Sequence, residues 1–176
     1  HEVRSCTKCP LWKSRRHAVP GAGKNTAPVM IIGEAPGQYE DESGEPFVGR
    51  SGKLLDEMLE AAGLNRHKHL YITSVVKCRP PKNRNPYQKE IKTCIPYVFE
   101  QLDLIQPKLI ICLGSVAAKT LIGKNFKISK ERGKWIAFKE YSMLPTYHPS
   151  AVLRNINLKQ TVIADFKEVA TKLHKI

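Results

Sequence analysis

No stretch of 18 consecutive apolar residues occurs in this 176-residue chain, so nothing in it reads as a membrane span. The N-terminus has no apolar signal segment, and the expectation is a cytoplasmic, intracellular protein. Repeats and low-complexity tracts are missing too. Acidic residues are scarce. Sixteen Asp and Glu stand against 29 Lys and Arg, for a net charge of +13. Such a surplus attracts polyanions, of which nucleic acid is the commonest. A generic basic surface, as in Lys-rich thermophile proteins, is the other reading. The length suits one domain with a real core and is too short for two. No linker is visible, so residues 1–176 read as a single domain, with the first 28 as an irregular extension or short helix packed on it.

What is there has an alternating pattern. VMIIGEA (29–35), LYITSVV (70–76), LIICLG (109–114) and, more weakly, SMLPTY (142–147) have strand character. The first and third are almost continuously apolar, as central strands covered on both faces are. Between them lie helical patterns at 51–63, 85–105, 115–123 and 161–176. Pro96 interrupts the second, which predicts two helices or one kinked helix. Ser115 reads as a helix cap. The alternation predicts a parallel sheet with helices on both faces, the α/β class. In such folds ligands bind beyond the carboxyl ends of the strands. Three unusual segments fall there: GEAPG, SVVKCRPPKNRNP and YHPSAVLR. The first opens a loop, residues 33–52, that is rich in glycine and acid in an otherwise basic chain. It reads as one wall of a site.

Five cysteines are present. Cys112 sits in an apolar run and reads as a core residue. Cys6 and Cys9 form a C-x2-C pair, while Cys78 and Cys94 are 15 residues apart. Disulfides are not expected inside a cell. Four thiolates hold either zinc or an iron–sulfur cluster. A zinc ribbon shows two close pairs. The irregular spacing favours a cluster, with zinc and unbound thiols as the other readings. Either group would pin the N-terminal extension to the loop after the second strand.

Together these segments resemble the family 4 uracil-DNA glycosylases. The resemblance rests on GEAPG followed by EDESGEPFVGRSGKLL, on YITSVVKCRPPKNRNP with a later cysteine, on YHPSAVLR, and on the N-terminal C-x2-C followed by VPGAG. It spans residues 6 to about 170 in order. It implies a three-layer α/β/α sandwich with a central four-stranded parallel sheet. It implies a [4Fe-4S] cluster on Cys6, Cys9, Cys78 and Cys94. It implies a monomer that removes uracil from single- or double-stranded DNA. A related branch traps DNA covalently through a histidine in an inserted segment; GRSGKLL lacks that insert, so no trapping is expected.

Carried over residue by residue, the resemblance makes His148 a donor to uracil O2, with capping of its own loop as the alternative. The backbone of Glu34, Ala35, Pro36 and Gly37 supplies amide donors. Glu34 positions a water, stabilises a cationic sugar, or merely orders its loop. Ala35 offers no base. Phe47 stacks on the flipped base or packs under the loop. Ser74 is the departure: family members carry Asn there, whose amide reads O4 and N3–H together, and a shorter hydroxyl predicts looser base selection. Val152 or Leu153 is an apolar wedge and Arg154 a phosphate contact, with Lys82, Asn83 and Arg84 holding the strand from the other side. Lys124, Lys127, Lys130, Arg132 and Lys134 form a further basic stretch or a solvated face. Two competing functions remain: a non-catalytic iron–sulfur nucleic-acid-binding protein of the same fold, and a zinc-stabilised RNA-binding module, which would be colourless.

Overall fold

A computed structural model describes residues 2–176. Six strands form one sheet: β1 Ala22–Gly23, β2 Val29–Gly33, β3 Leu70–Ser74, β4 Leu109–Leu113, β5 Ile136–Phe138 and β6 Tyr141–Thr146, in the order β1-β3-β2-β4-β6-β5. The helices are α1 Gln38–Ser43, α2 Arg50–Ala61, α3 Arg66–His69, α4 Gln88–Ile105, α5 Gly114–Leu121, α6 Ile128–Glu131, α7 Pro149–Arg154 and α8 Lys159–His174. None is long and apolar enough to cross a membrane.

The expectation of a sheet of four parallel strands describes only its inner part, β3-β2-β4-β6. The sheet is six-stranded and mixed. β2 pairs parallel with β3 and β4, and β4 with β6, while β1 and β5 pair antiparallel at the two edges. Both edge strands are short and only partly buried, so neither has the apolar run that marks an inner strand.

Period-two alternation explains the layers. From β2, Met30 and Ile32 point into one apolar cluster, and Val29 and Ile31 into the other. From β4, Ile110 and Cys112 join the first, and Leu109, Ile111 and Leu113 the second. Cys112 is fully buried, as a core residue should be. α4 and α5 cover the first face with residues such as Val98 and Ala117; α2 and α8 cover the second with Leu55 and Phe166. α4 is one continuous helix through Pro96. Pro145 is tolerated inside β6 because β5 pairs only as far as Met143. Ser115 is not a cap: α5 starts one residue earlier, at Gly114, behind Leu113.

The N-terminal segment is a 3-10 turn, Pro10–Lys13, followed by β1. It buries Val3, Leu11 and Ala18 in the first core. Backbone and side-chain bonds tie it to the sheet: Val19 N–H donates to the Lys77 carbonyl at 2.8 Å, and Thr73 Oγ1 to the Pro20 carbonyl at 2.9 Å.

Candidate active site

The strand order reverses between β2 and β4, which opens a crevice beyond their carboxyl ends. A cavity of about 400 Å³ lies there. Glu34, Ala35, Pro36 and Gly37 reach it from the end of β2, Ser74 from the end of β3, and His148 from just beyond β6. Phe47, Asn83, Arg84 and Arg154 complete the expected set. Leu153, Val152 and Lys82 lie outside the cavity: Leu153 is exposed on α7, Val152 is buried in the core, and Lys82 is exposed on the loop after β3.

His148 both caps and lines. It is the N-cap of α7, and its Nδ1 accepts the Ser150 backbone N–H at 3.0 Å, with Ser150 Oγ 2.8 Å away. An Nδ1 used as an acceptor places the proton of the neutral ring on Nε2. Burial, helped by the charge of Arg154, pushes the imidazole down to about 4. At neutral pH the ring is therefore an uncharged N–H donor. Gly114 makes this possible. Its φ is +88°, and a Cβ there would stand 2.9 Å from His148 Cβ.

Glu34 is half-buried at the cavity wall, and burial raises its carboxyl above the ordinary value. No side-chain hydrogen bond or ion pair of Glu34 is seen among the described residues. Phe47 is buried in the second core and still lines the cavity, so packing and facing a ligand are one arrangement. Its ring centroid is 5.5 Å from that of His148, at 36°. Its φ is +50°, uncommon for a bulky residue. Arg66 holds this geometry: Nη1 donates to the Pro46 carbonyl at 2.9 Å, Nη2 to the Phe47 carbonyl at 2.6 Å, and Nε to Asp56 at 2.8 Å. Gly52 is equally required, since a Cβ there would fall 1.8 Å from the Phe47 carbonyl oxygen.

The four remaining cysteines, Cys6, Cys9, Cys78 and Cys94, line a second, small cavity on the other side of β3's end. They do not close into a group that could hold a single metal ion among the described residues. Arg15 Nη1 donates to Cys78 Sγ at 3.3 Å, and the Lys77 N–H donates to Cys94 Sγ at 3.3 Å. Burial raises both thiols above their ordinary value, and these N–H donors offset part of that. All four cysteines border this one cavity, so the fold brings the N-terminal pair to the pair beyond β3.

A family model described as the uracil DNA glycosylase superfamily matches residues 20–170. A type-4 uracil-DNA glycosylase of Sulfurisphaera tokodaii is 49% identical over 96% of this chain and 80% of its own length. Those of Saccharolobus solfataricus and Pyrobaculum aerophilum are each 46% identical, over 98% and 90% of this chain and 83% and 85% of theirs. The chain belongs to the type-4 uracil-DNA glycosylases.

Several details of this glycosylase differ from what its sequence suggests. HPSAVLR is a helix with a histidine cap, and Val152 on it is fully buried in the core, so it cannot be the apolar wedge. The segment after GEAPG is partly helical, as α1. Its Asp41 is buried and accepts the Arg16 N–H at 2.8 Å, so this carboxylate anchors the N-terminal segment and does not face DNA. Arg84 is not a free cation: Glu90 binds it through both oxygens, at 2.8 and 3.0 Å. In the basic stretch, Arg132 is likewise taken up by Asp165, at 2.8 and 2.6 Å.

Sequence reasoning missed several residues of the glycosylase. Glu40, Ser51, Asn85 and Ser150 also line the main cavity. Glu40 carries no signal in the sequence, because the short helix α1 that presents it lies inside a glycine-rich, acidic segment. Lys77 is fully buried, with Nζ donating to Thr73 Oγ1, to the Ser74 carbonyl at 2.7 Å and to Gln101 Oε1 at 2.9 Å. Burial pushes its ammonium down to about 7. It lies between Ser74 and the cysteine cavity, a position no motif signals.

Proposed function

We propose that this chain hydrolyses the N-glycosidic bond of uracil in DNA, with the base extruded into the 400 Å³ cavity. The observation that carries this reading is the neutral His148 with its Nε2–H beside Phe47 and the GEAPG backbone. Cleavage of the C1′–N1 bond leaves a uracil anion and a cationic sugar. His148 Nε2–H and the amides of the Glu34–Gly37 turn stabilise the anion at O2. A neutral donor suits this task, because its proton strengthens a hydrogen bond without being lost to solvent. Phe47 stacks on the base. Glu34, on the cavity wall, faces the developing cation or the water that captures it. Ala35 supplies no base, so departure precedes attack.

Ser74 reads the pyrimidine edge with a hydroxyl where an amide is usual, through a bridging water. Leu153, exposed on α7, fills the space left by the flipped nucleotide, and Arg154 and Asn83 steady the backbone. The +13 charge makes affinity fall with salt. Cys6, Cys9, Cys78 and Cys94 would hold a [4Fe-4S] cluster, a structural cross-link that would pin the N-terminal segment to the loop after β3. The enzyme works as a cytoplasmic monomer on single- or double-stranded DNA. The non-catalytic reading is not favoured, because the whole constellation is intact.

The test is alkali cleavage of labelled oligonucleotides carrying one U, T, C or hypoxanthine, single-stranded and duplex. Release of uracil is expected, with measurable release of a second base that Ser74→Asn suppresses. No release from any oligonucleotide that the protein binds would restore the binding-protein reading.

A further inference from the structure

Tyr87 is a large aromatic residue left 61% exposed, yet it is held firmly. It precedes α4, and its backbone N–H donates to Glu90 Oε1 at 2.7 Å. The same carboxylate binds Arg84 through both oxygens. Arg84 also donates to the Asn85 carbonyl at 3.1 Å, and its guanidinium lies 3.7 Å from the Tyr87 ring centroid. Glu90 is buried, so the tie is shielded from water. One face of the ring thus rests on a fixed cation, and the residue is otherwise open to solvent. Arg84 and Asn85 both line the main cavity, which places the ring at its rim.

A free aromatic face at the mouth of a base pocket has one natural occupant in a DNA substrate. Extruding a nucleotide unstacks its neighbour, and every base has a π-face that an aromatic ring can cover. A phosphate would gain little here, because Glu90 neutralises the Arg84 cation beneath the ring. We infer that Tyr87 is a stacking platform for the nucleobase next to the flipped uracil, used most in single strands. This inference rests on the cavity being the uracil pocket. The Glu90–Arg84 pair acts as its positioning device.

The experiment uses single-stranded oligonucleotides with one uracil and a 2-aminopurine on its 5′ or 3′ side. Wild-type protein should quench one of the two fluorophores on binding. Tyr87→Ala and Tyr87→Leu should each lose that quenching and raise KM about fivefold or more, with the loss carried by KM and not kcat. Tyr87→Phe should restore both. Unchanged quenching and KM in Tyr87→Ala, or no quenching by wild type at either position, would overturn the platform. His148→Ala separates the two readings: it should bind and quench but not excise. Excision by it at the wild-type rate would sink the pocket, and the platform with it.

Discussion

His148 shows how one side chain meets two demands with two nitrogens. Nδ1 caps a helix, which leaves Nε2–H for the cavity. Capping and donation looked like rival roles in the sequence; in the structure the first enforces the second. The low pKa has a consequence. In the unfolded chain the ring takes up its proton near the ordinary 6.5, but in the folded chain only near 4. The unfolded state therefore binds more protons between these values, and stability falls as pH drops through that window. The donor itself survives throughout it. NMR of the ring nitrogens should show His148 neutral, with Nε2 protonated, from about pH 8 to about pH 5. An imidazolium at about pH 6 would refute this assignment. Glu34, whose carboxyl is raised by burial, contributes to any acid limb of activity that appears earlier.

At the scale of elements, the loop between α1 and α2 is shaped from below. Phe47 needs a left-handed backbone, a glycine at position 52 and the Arg66 guanidinium under two carbonyls. Arg66 lies 14 residues beyond Gly52 and is part of none of the motifs. Its replacement leaves two carbonyls in the loop without a donor. Arg66→Leu should cost about 2 kcal/mol, a melting temperature lower by about 4–8 °C. It should also raise KM for uracil DNA, since Phe47 loses its support. A variant with wild-type KM and melting temperature would mean that the loop holds itself. The same logic explains why the acidic residues divide: Asp41 turns inward to backbone N–H groups, while Glu34 and Glu40 face the cavity.

For the whole molecule, the sheet brings two cavities to opposite sides of one strand end. Ser74 belongs to the first, Cys78 and Cys94 to the second, and Lys77 lies between them. The N-terminal segment contributes Cys6 and Cys9 to the second cavity and Val19 to the first. Loss of the cysteine-held group should therefore reach the active site through this segment. The purified protein should be brown, with iron and sulfide in equal amounts. Cys94→Ala should lose the colour, expose the first 20 residues to protease and lower activity. A colourless, fully active wild-type protein would overturn the cluster.

The alternating apolar runs, the glycine-rich turn after β2, the HPS motif and the paired cysteines were legible in the sequence, because period, turn chemistry and ligand type are local properties of a chain. They were enough to name the α/β class and the four thiols, and the family resemblance they carry named ten of the residues around the cavity but not Val19, Glu40, Pro46, Ser51, Asn85 or Ser150. The edge strands were not legible. Two or three residues paired at a sheet margin leave no apolar run to detect. Nor was the fate of single charges. Arg84, Arg132, Asp41 and Lys77 look alike as surface ions in a string of letters, and only their neighbours in space decide which is neutralised, which is buried and which is free to meet DNA. Coulombic and hydrogen-bonding partners are set by distance in the folded state, and the chain brings those partners together from 3 to 33 residues away.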